Sequence, residues 1–238
     1  MTLPDFLAAA YEAWALLMAY PLHWLAVMVI FLLVVESLML IPYVGFVIKL
    51  AVAGIVVPQV VGMFAGAGRG HAPNPLDMLG AFSFPLSTQA VLAGAALLPF
   101  AIGILYLYAK GGKQATAFFF GNIFKAKQPS AALFERFKYL LQFASLPFTL
   151  LAGAVVVNGS VGLAALWIAF SAALTHWLPV LLLGLLALAF EWFSAHLPKA
   201  LPKWAGATLS ITLTVVYLAW IFALTYTVSA SVFMAQGT

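Results

Sequence analysis

Six long apolar runs limit the folds that this chain can adopt. They cover about residues 22–41, 45–66, 86–108, 138–157, 176–196 and 206–232. Each run comes close to or exceeds the roughly 20 residues that a helix needs to cross the hydrocarbon core of a bilayer. Backbone groups in hydrocarbon must be hydrogen-bonded within the protein, and continuous apolar runs are typical of helices rather than barrel strands. The sequence therefore predicts an all-α, polytopic membrane helical bundle with six transmembrane helices.

The composition supports the same class of protein. Hydrophobic residues make up 66% of the chain and charged residues 7%, whereas soluble globular proteins carry about 25% charged residues. We expect a single integral membrane domain over residues 1–238. The chain has no cysteine, which excludes thiol catalysis and thiolate metal sites. Its net charge of +4 is typical of cations that flank membrane spans, so no nucleic-acid partner is predicted.

The lysines and arginines lie almost entirely on one side of the predicted bundle. That side carries Lys49, Lys110, Lys113, Lys125, Lys127, Arg136, Lys138, Lys199 and Lys203. Arg69 is alone on the other side. Because basic loops stay in the cytoplasm, both chain ends are predicted on the non-cytoplasmic side. Six spans with short loops are common in small proteins of the bacterial inner membrane, so a plasma membrane of this kind is the predicted location.

Three shorter segments, at about residues 6–20, 113–127 and 161–175, are predicted to form interfacial helices. The last could be a seventh span, but fifteen residues are too few, and an extra crossing would move two lysines to the wrong side. Residues 113–127 combine lysines with four phenylalanines, which indicates an amphipathic helix on anionic headgroups. An ordinary basic loop would explain the lysines alone. The predicted headgroup contacts are Lys110, Lys113, Lys125 and Lys127.

The tripeptide His-Trp-Leu occurs twice, at residues 23–25 and 176–178, each time nine residues after another tryptophan. We interpret His23, Trp24, His176 and Trp177 as interfacial residues that mark a turn into the membrane, with their polar edges among headgroups. The alternative makes the two histidines ligands of a metal, haem or quinone. No third ligand recurs at a suitable spacing, so neither a metal site nor a cofactor is predicted.

Three ionisable residues interrupt the apolar runs: Glu36, Lys49 and Glu191. A charge at the bilayer centre costs at least about 2.5–3.5 kcal/mol, so each needs a partner, water or the interface. Glu36 and Lys49 stand six residues before and after the predicted turn at residues 42–43. Both should therefore lie about 9 Å from this turn, at about 1.5 Å per residue, and form an ion pair. A structural role is favoured over ion passage, and Glu191 either joins the pair or reaches the interface.

Two glutamines and three prolines also lie within the spans. Gln59 and Gln89 cannot satisfy their amides locally, so they are candidates for an interhelical contact or a polar cavity. Pro58, Pro99 and Pro147 each remove a helical hydrogen bond and bend the helix. Such bends can open a cavity or merely shape a bundle, and the second interpretation is favoured because proline is common in membrane helices.

Gly62, Gly66 and Gly70 are spaced by four residues near the end of the second span. Small residues at this spacing let the backbone of another helix approach closely. We predict a helix-packing stripe whose partner is a helix of this chain or of another subunit.

Catalytic motifs are missing from the sequence, including nucleophile elbows, zinc-binding helices and phosphate-binding glycine loops. We therefore expect a non-enzymatic accessory or scaffold subunit of a membrane complex. Its expected partners are the bilayer with its anionic headgroups and other membrane subunits or a second copy. The alternative is a transporter or channel for a small solute, an ion or a lipid, and a membrane-embedded lipid enzyme comes third. The transporter would use a polar cavity near Glu36, Lys49, Gln59, Gln89 and Glu191.

Overall fold

The computed structural model describes residues 1–120, 129–196 and 202–234. Its helices are α1 Leu3–Ala19, α2 Pro21–Ser37, α3 Gly45–Gly68, α4 Leu86–Phe120, α5 Ala131–Ser145, α6 Leu151–Val156, α7 Gly162–Thr175, α8 Trp177–His196 and α9 Lys203–Met234. No strand occurs in this part of the chain. The all-α bundle predicted from the sequence is confirmed.

Within the described residues, six helical stretches are long and apolar enough to cross a membrane. They are Pro21–Leu40, Gly45–Gly68, Leu86–Phe120, Ala131–Val156, Trp177–Ser194 and Trp204–Met234. Each overlaps one of the predicted spans, and the protein is a membrane protein. The end of the bundle that carries the α2–α3 turn, Lys110, Lys113 and the first turns of α5 is called the basic end below.

The first helix, α1, is not among the six helical stretches that are long enough to cross a membrane. It packs along the C-terminal half of α9. A capping box starts it, because the backbone N–H of Thr2 donates to Asp5 at 2.6 Å while the Thr2 hydroxyl accepts from Asp5. These bonds to Thr2 lower the pKa of the Asp5 carboxyl. Farther along, the hydroxyl of Thr227 donates to the carbonyl of Ala9 at 3.0 Å in a buried position. Helix α1 is therefore joined to the bundle by hydrogen bonds as well as by packing.

Helix α7 is the second short helix, and it packs against α4 and α6. Its alanine-rich face is buried, and the backbone N–H of Gly162 donates to the buried hydroxyl of Thr88 at 2.9 Å. Both short helices expose apolar side chains on their outer faces, including Trp14 on α1 and Trp167 on α7. These two tryptophans, rather than Trp24, have the exposure that an interfacial anchor needs.

The interpretation of Trp24 as an interfacial residue is wrong. Its side chain is 1% exposed and stacks on Phe64 of α3 with ring centroids 3.7 Å apart. Its indole N–H donates to the carbonyl of Leu16 at 3.3 Å. Helices α1 and α3 both contact the start of α2, so this ring gains more from packing than from the interface. Trp177, at the equivalent position of the second tripeptide, is 62% exposed.

The two tripeptides also differ in their place relative to the turn. His176 is itself the non-helical residue between α7 and α8, with φ −111° and ψ 49°. Before α2 the corresponding turn residue is Tyr20, and His23 lies three residues inside the helix. The sequence repeat therefore does not extend to equivalent local structure.

Helix α4 changes direction at Gly112, whose φ of 65° lies in the left-handed region that favours glycine. Beyond it, residues 113–120 pack onto a phenylalanine cluster. The cluster consists of Phe46, Phe100, Phe118, Phe119, Phe134 and Phe137. Phe119 is buried there, whereas Phe120 is 41% exposed, so part of the aromatic block packs inside the protein. Lys110 and Lys113 are exposed, while Lys125 and Lys127 lie outside the described residues.

The predicted glycine stripe does not form as one surface. Helix α3 ends at Gly68, so Gly70 lies in the following turn with φ 87°. Gly62 faces Val156 of α6, since a Cβ added there would lie 3.4 Å from that side chain. Gly66 faces His71 in its own connection. A closer helix approach occurs at Gly54, where an added Cβ would lie 2.7 Å from the Leu92 carbonyl oxygen of α4.

Candidate functional site

A cavity of about 540 Å³ lies between α3, α4, α5, α6, α8 and α9. Its volume falls within the range of roughly 300–1,000 Å³ that is usual for small-molecule sites. Most of its wall is apolar. The apolar side chains include Leu50, Val57, Leu92, Phe100, Leu141 and Phe222. An occupant would therefore bury mainly hydrocarbon.

The cavity lies beside the three prolines of the spans. Pro58 and Pro99 line it directly. Pro147 lies in the single 3-10 turn Leu146–Phe148 that separates α5 from α6, and Phe148 contributes to the wall. The role predicted for these prolines from the sequence is to shape the helical bundle. In the structure each of them lies in the cavity wall or next to it.

The prolines also change the polarity of the cavity wall. A proline has no N–H, so the carbonyl four residues earlier loses its helical donor. For Pro58 and Pro99 these carbonyls belong to Gly54 and Ala95, which both line the cavity. The backbone thus offers acceptors beside otherwise apolar walls.

A row of polar side chains along α5 and just after it, called the polar stripe below, lines one side of the cavity. Lys138, Gln142, Ser145 and Thr149 follow each other at spacings of four, three and four residues, and all four line it. This spacing keeps Lys138, Gln142 and Ser145 on one face of α5, and Thr149 follows directly after the 3-10 turn Leu146–Phe148. The hydroxyl of Ser145 donates to the carbonyl of Gln142 at 2.8 Å, so the Lys138 ammonium and the Gln142 amide are the strongest donors that this face offers to an occupant.

The stripe ends in an ion pair at the mouth of the cavity, toward the basic end. Nζ of Lys138 lies 3.8 Å from Oε2 of Glu191 on α8, and the two side chains are 42% and 44% exposed. The ammonium is also 5.7 Å from the centre of the Phe134 ring. Such a long, exposed pair is weak, so a ligand with charges of its own can replace either partner.

The predicted pair between Glu36 and Lys49 is present and lies outside the cavity lining. Nζ of Lys49 is 2.6 Å from Oε1 of Glu36, and the side chains are 20% and 57% exposed. The pair connects α2 to α3 across the turn that contains Tyr43, a non-glycine residue with φ 66°. Glu191 does not join it, because Lys138 is its partner.

Gln59 on α3 and Gln89 on α4 direct their side chains to the connection between these two helices and do not line the cavity. Gln59 packs on the 3-10 segment Pro75–Ser83, where its amide nitrogen lies 2.8 Å from the place of a Cβ on Gly80. The amide of Gln89 donates to the carbonyls of Phe82 at 3.0 Å and Phe84 at 2.8 Å. Both amides therefore stabilise a loop.

The polar cavity predicted from the sequence is thus composed differently in the structure. Of the five residues proposed for it, Glu191 belongs to the lining and the other four do not. The lining residues that are not predicted from the sequence are Gln142, Ser145 and Thr149, although their spacing after Lys138 is a signal that could have identified them.

The histidines of the two tripeptides form no ligand site. His23 is exposed and meets the ring of Tyr20 edge-on at 6.0 Å. Partial burial lowers the pKa of His176 below its usual value. Over residues 1–120, 129–196 and 202–234, no group of three or more histidines and carboxylates could hold a metal ion.

Fold and site together define a helical membrane protein with a central, largely apolar cavity. Comparison with protein-family models, with curated proteins and with solved structures gives no match. The geometry of the cavity is therefore the feature that indicates a function.

Proposed function

We propose that the protein binds an amphiphilic molecule of the bilayer in its central cavity and serves as a carrier or transporter for it rather than as an enzyme. One observation carries the proposal: a mainly apolar cavity with a single polar stripe that leads to an ion pair at its mouth. An inorganic ion or a small polar solute would need polar groups on several sides, since burying an unpaired polar group is costly.

The cavity offers a separate place for each part of an amphiphile. Lys138 and Glu191 provide opposite charges at the mouth, where their exposure keeps the cost of desolvation small. The Gln142 amide can donate to an ester or amide carbonyl of the ligand, and the freed backbone carbonyls can accept from an amide N–H or a hydroxyl of the ligand. The apolar walls suit an acyl chain. A lipid with a small charged or zwitterionic headgroup matches this arrangement.

The location and orientation are part of the proposal. We infer a bacterial inner membrane with the basic end in the cytoplasm and both chain ends on the other side. What supports this orientation is that Lys110, Lys113 and Arg136 are exposed at the same end of the bundle as the cavity mouth. Anionic headgroups are the partners that these cations favour.

Lipid retention tests the proposal. The protein is purified in mild detergent and bound lipid is measured by native mass spectrometry. Ser145→Phe fills the cavity, whereas Ser171→Phe is its control, since Ser171 is exposed on α7 and its hydroxyl also bonds to the carbonyl three residues earlier. The wild type and the control should retain an amphiphile that Ser145→Phe loses. Equal retention in all three proteins, or none in the wild type, would refute the assignment.

The accessory or scaffold role stays a prediction from the sequence. A protein subunit that co-purifies with the chain at fixed stoichiometry, in place of lipid, would support that role.

A further inference from the structure

A second apolar space lies on the outer surface of the bundle, between α4 and α7. It has a volume of about 450 Å³, and its lining includes Val91, Gly94, Leu98, Leu163 and Leu166. Leu163 and Leu98 are exposed, and nothing lies within 4 Å of a Cβ added to Gly94. This groove faces away from the protein, where a membrane protein meets lipid, so an acyl chain of the bilayer is the occupant it fits.

The groove and the central cavity share a wall. Ala95 and Phe148 line both spaces, so these two residues lie at the boundary between them. Phe148 is the last residue of the 3-10 turn Leu146–Phe148 between α5 and α6. Its ring can change rotamer at an existing break, and no α-helical turn has to open for this movement.

The two spaces overlap in depth along α4 but extend toward opposite ends of the bundle. The mouth of the cavity, with Lys138 and Glu191, is near the basic end. The groove begins at Ser87, in the first turn of α4, and at Leu163, in the first turn of α7, which are at the opposite end. Together the cavity and the groove extend from one end of the bundle toward the other, and Phe148 lies between them.

We propose that Phe148 gates a path by which an amphiphile passes between the central cavity and the lateral groove, and hence between the two leaflets. This inference rests on the proposed function, because it takes the cavity as the binding site. In it, the headgroup travels along the stripe of Lys138, Gln142, Ser145 and Thr149. The acyl chain lies against the apolar walls of the cavity and then in the groove.

The test measures lipid movement and lipid binding separately. The protein is reconstituted into vesicles of phosphatidylethanolamine and phosphatidylglycerol that contain a trace of fluorescent phosphatidylglycerol. Dithionite then quenches the dye in the outer leaflet, and the slow phase reports transfer from the inner leaflet. Phe148→Ala should raise this rate about tenfold, equivalent to about 1.4 kcal/mol of barrier, and Phe148→Trp should lower it. Phe143→Ala is the control, because Phe143 is exposed on α5.

The outcomes separate the gate from the binding site. Unchanged rates in both Phe148 variants, with lipid still retained on purification, would overturn the gate and leave the proposed function standing. Loss of retention in the wild type would overturn both. If Phe148→Ala does not fold, the milder Phe148→Leu takes its place, and a rate equal to that of the wild type would again refute the gate.

Discussion

Lys49 and Glu36 meet across the first hairpin of the bundle, with Nζ 2.6 Å from Oε1 although thirteen residues separate them in the chain. Each residue interrupts an apolar run, and each supplies the countercharge that the other needs near the membrane. The ion pair therefore links α2 and α3 near the turn that joins them.

The first prediction concerns this pair. A double-mutant cycle with Glu36→Gln and Lys49→Met should give a coupling free energy of about 1 kcal/mol in reversible unfolding, because Glu36 is more than half exposed. Lys110→Met serves as a control for loss of a cation at the same end. A coupling energy of zero would mean that the two charges act independently.

The second prediction separates the two tripeptides. Trp24→Ala should destabilise the protein by about 3–5 kcal/mol, since it removes a buried ring together with its stack on Phe64. Trp177→Ala, at the equivalent position, should change the free energy of unfolding little, because its ring is exposed. Thermal unfolding of both variants in one detergent compares them. Equal losses would contradict the different surroundings described for the two rings.

The third prediction is the orientation of the protein in the membrane. Because the chain has no cysteine, one introduced cysteine is its only thiol. Single cysteines are introduced as Ala72→Cys and Lys113→Cys, at exposed positions on opposite ends of the bundle. A membrane-impermeant maleimide applied to intact cells should label the first and spare the second until the cells are lysed. The reverse pattern would place the basic end outside and invert the proposed topology.

The fourth prediction concerns pH. Burial lowers the folded-state pKa of His176, so the folded state favours the neutral ring. The stability of the folded protein is therefore greatest above the usual histidine pKa near 6.5 and decreases as the pH falls through 6.5 toward the lowered pKa of His176. The wild type should therefore lose more thermal stability than His176→Gln between about pH 7.5 and about pH 5. His23→Gln, at an exposed histidine, should behave like the wild type.

Local rules were enough for part of this structure. The length of apolar runs located the helices that contain Glu36, Lys49 and Glu191, and equal distance from a turn brought the first two together. The surroundings of Trp24 could not be predicted in this way. They depend on α1 and α3 closing around it, and those helices come from distant parts of the chain.

The cavity shows the same limit. The spacing from Lys138 to Thr149 could be seen in the sequence, but a polar stripe can face a cavity, another helix or the headgroups. What decides this is how the helices that contain Pro58 and Pro99 and the 3-10 turn that contains Pro147 pack around one space. Their joint effect is a property of the assembled bundle.

The backbone carbonyls that Pro58 and Pro99 leave free have a practical consequence. They are main-chain atoms of Gly54 and Ala95, so alanine substitutions of the other lining side chains would leave both acceptors in place and underestimate how polar the site is. Replacing the prolines themselves restores the missing N–H groups. A scan that omits Pro58→Ala and Pro99→Ala would therefore miss part of what recognises a ligand.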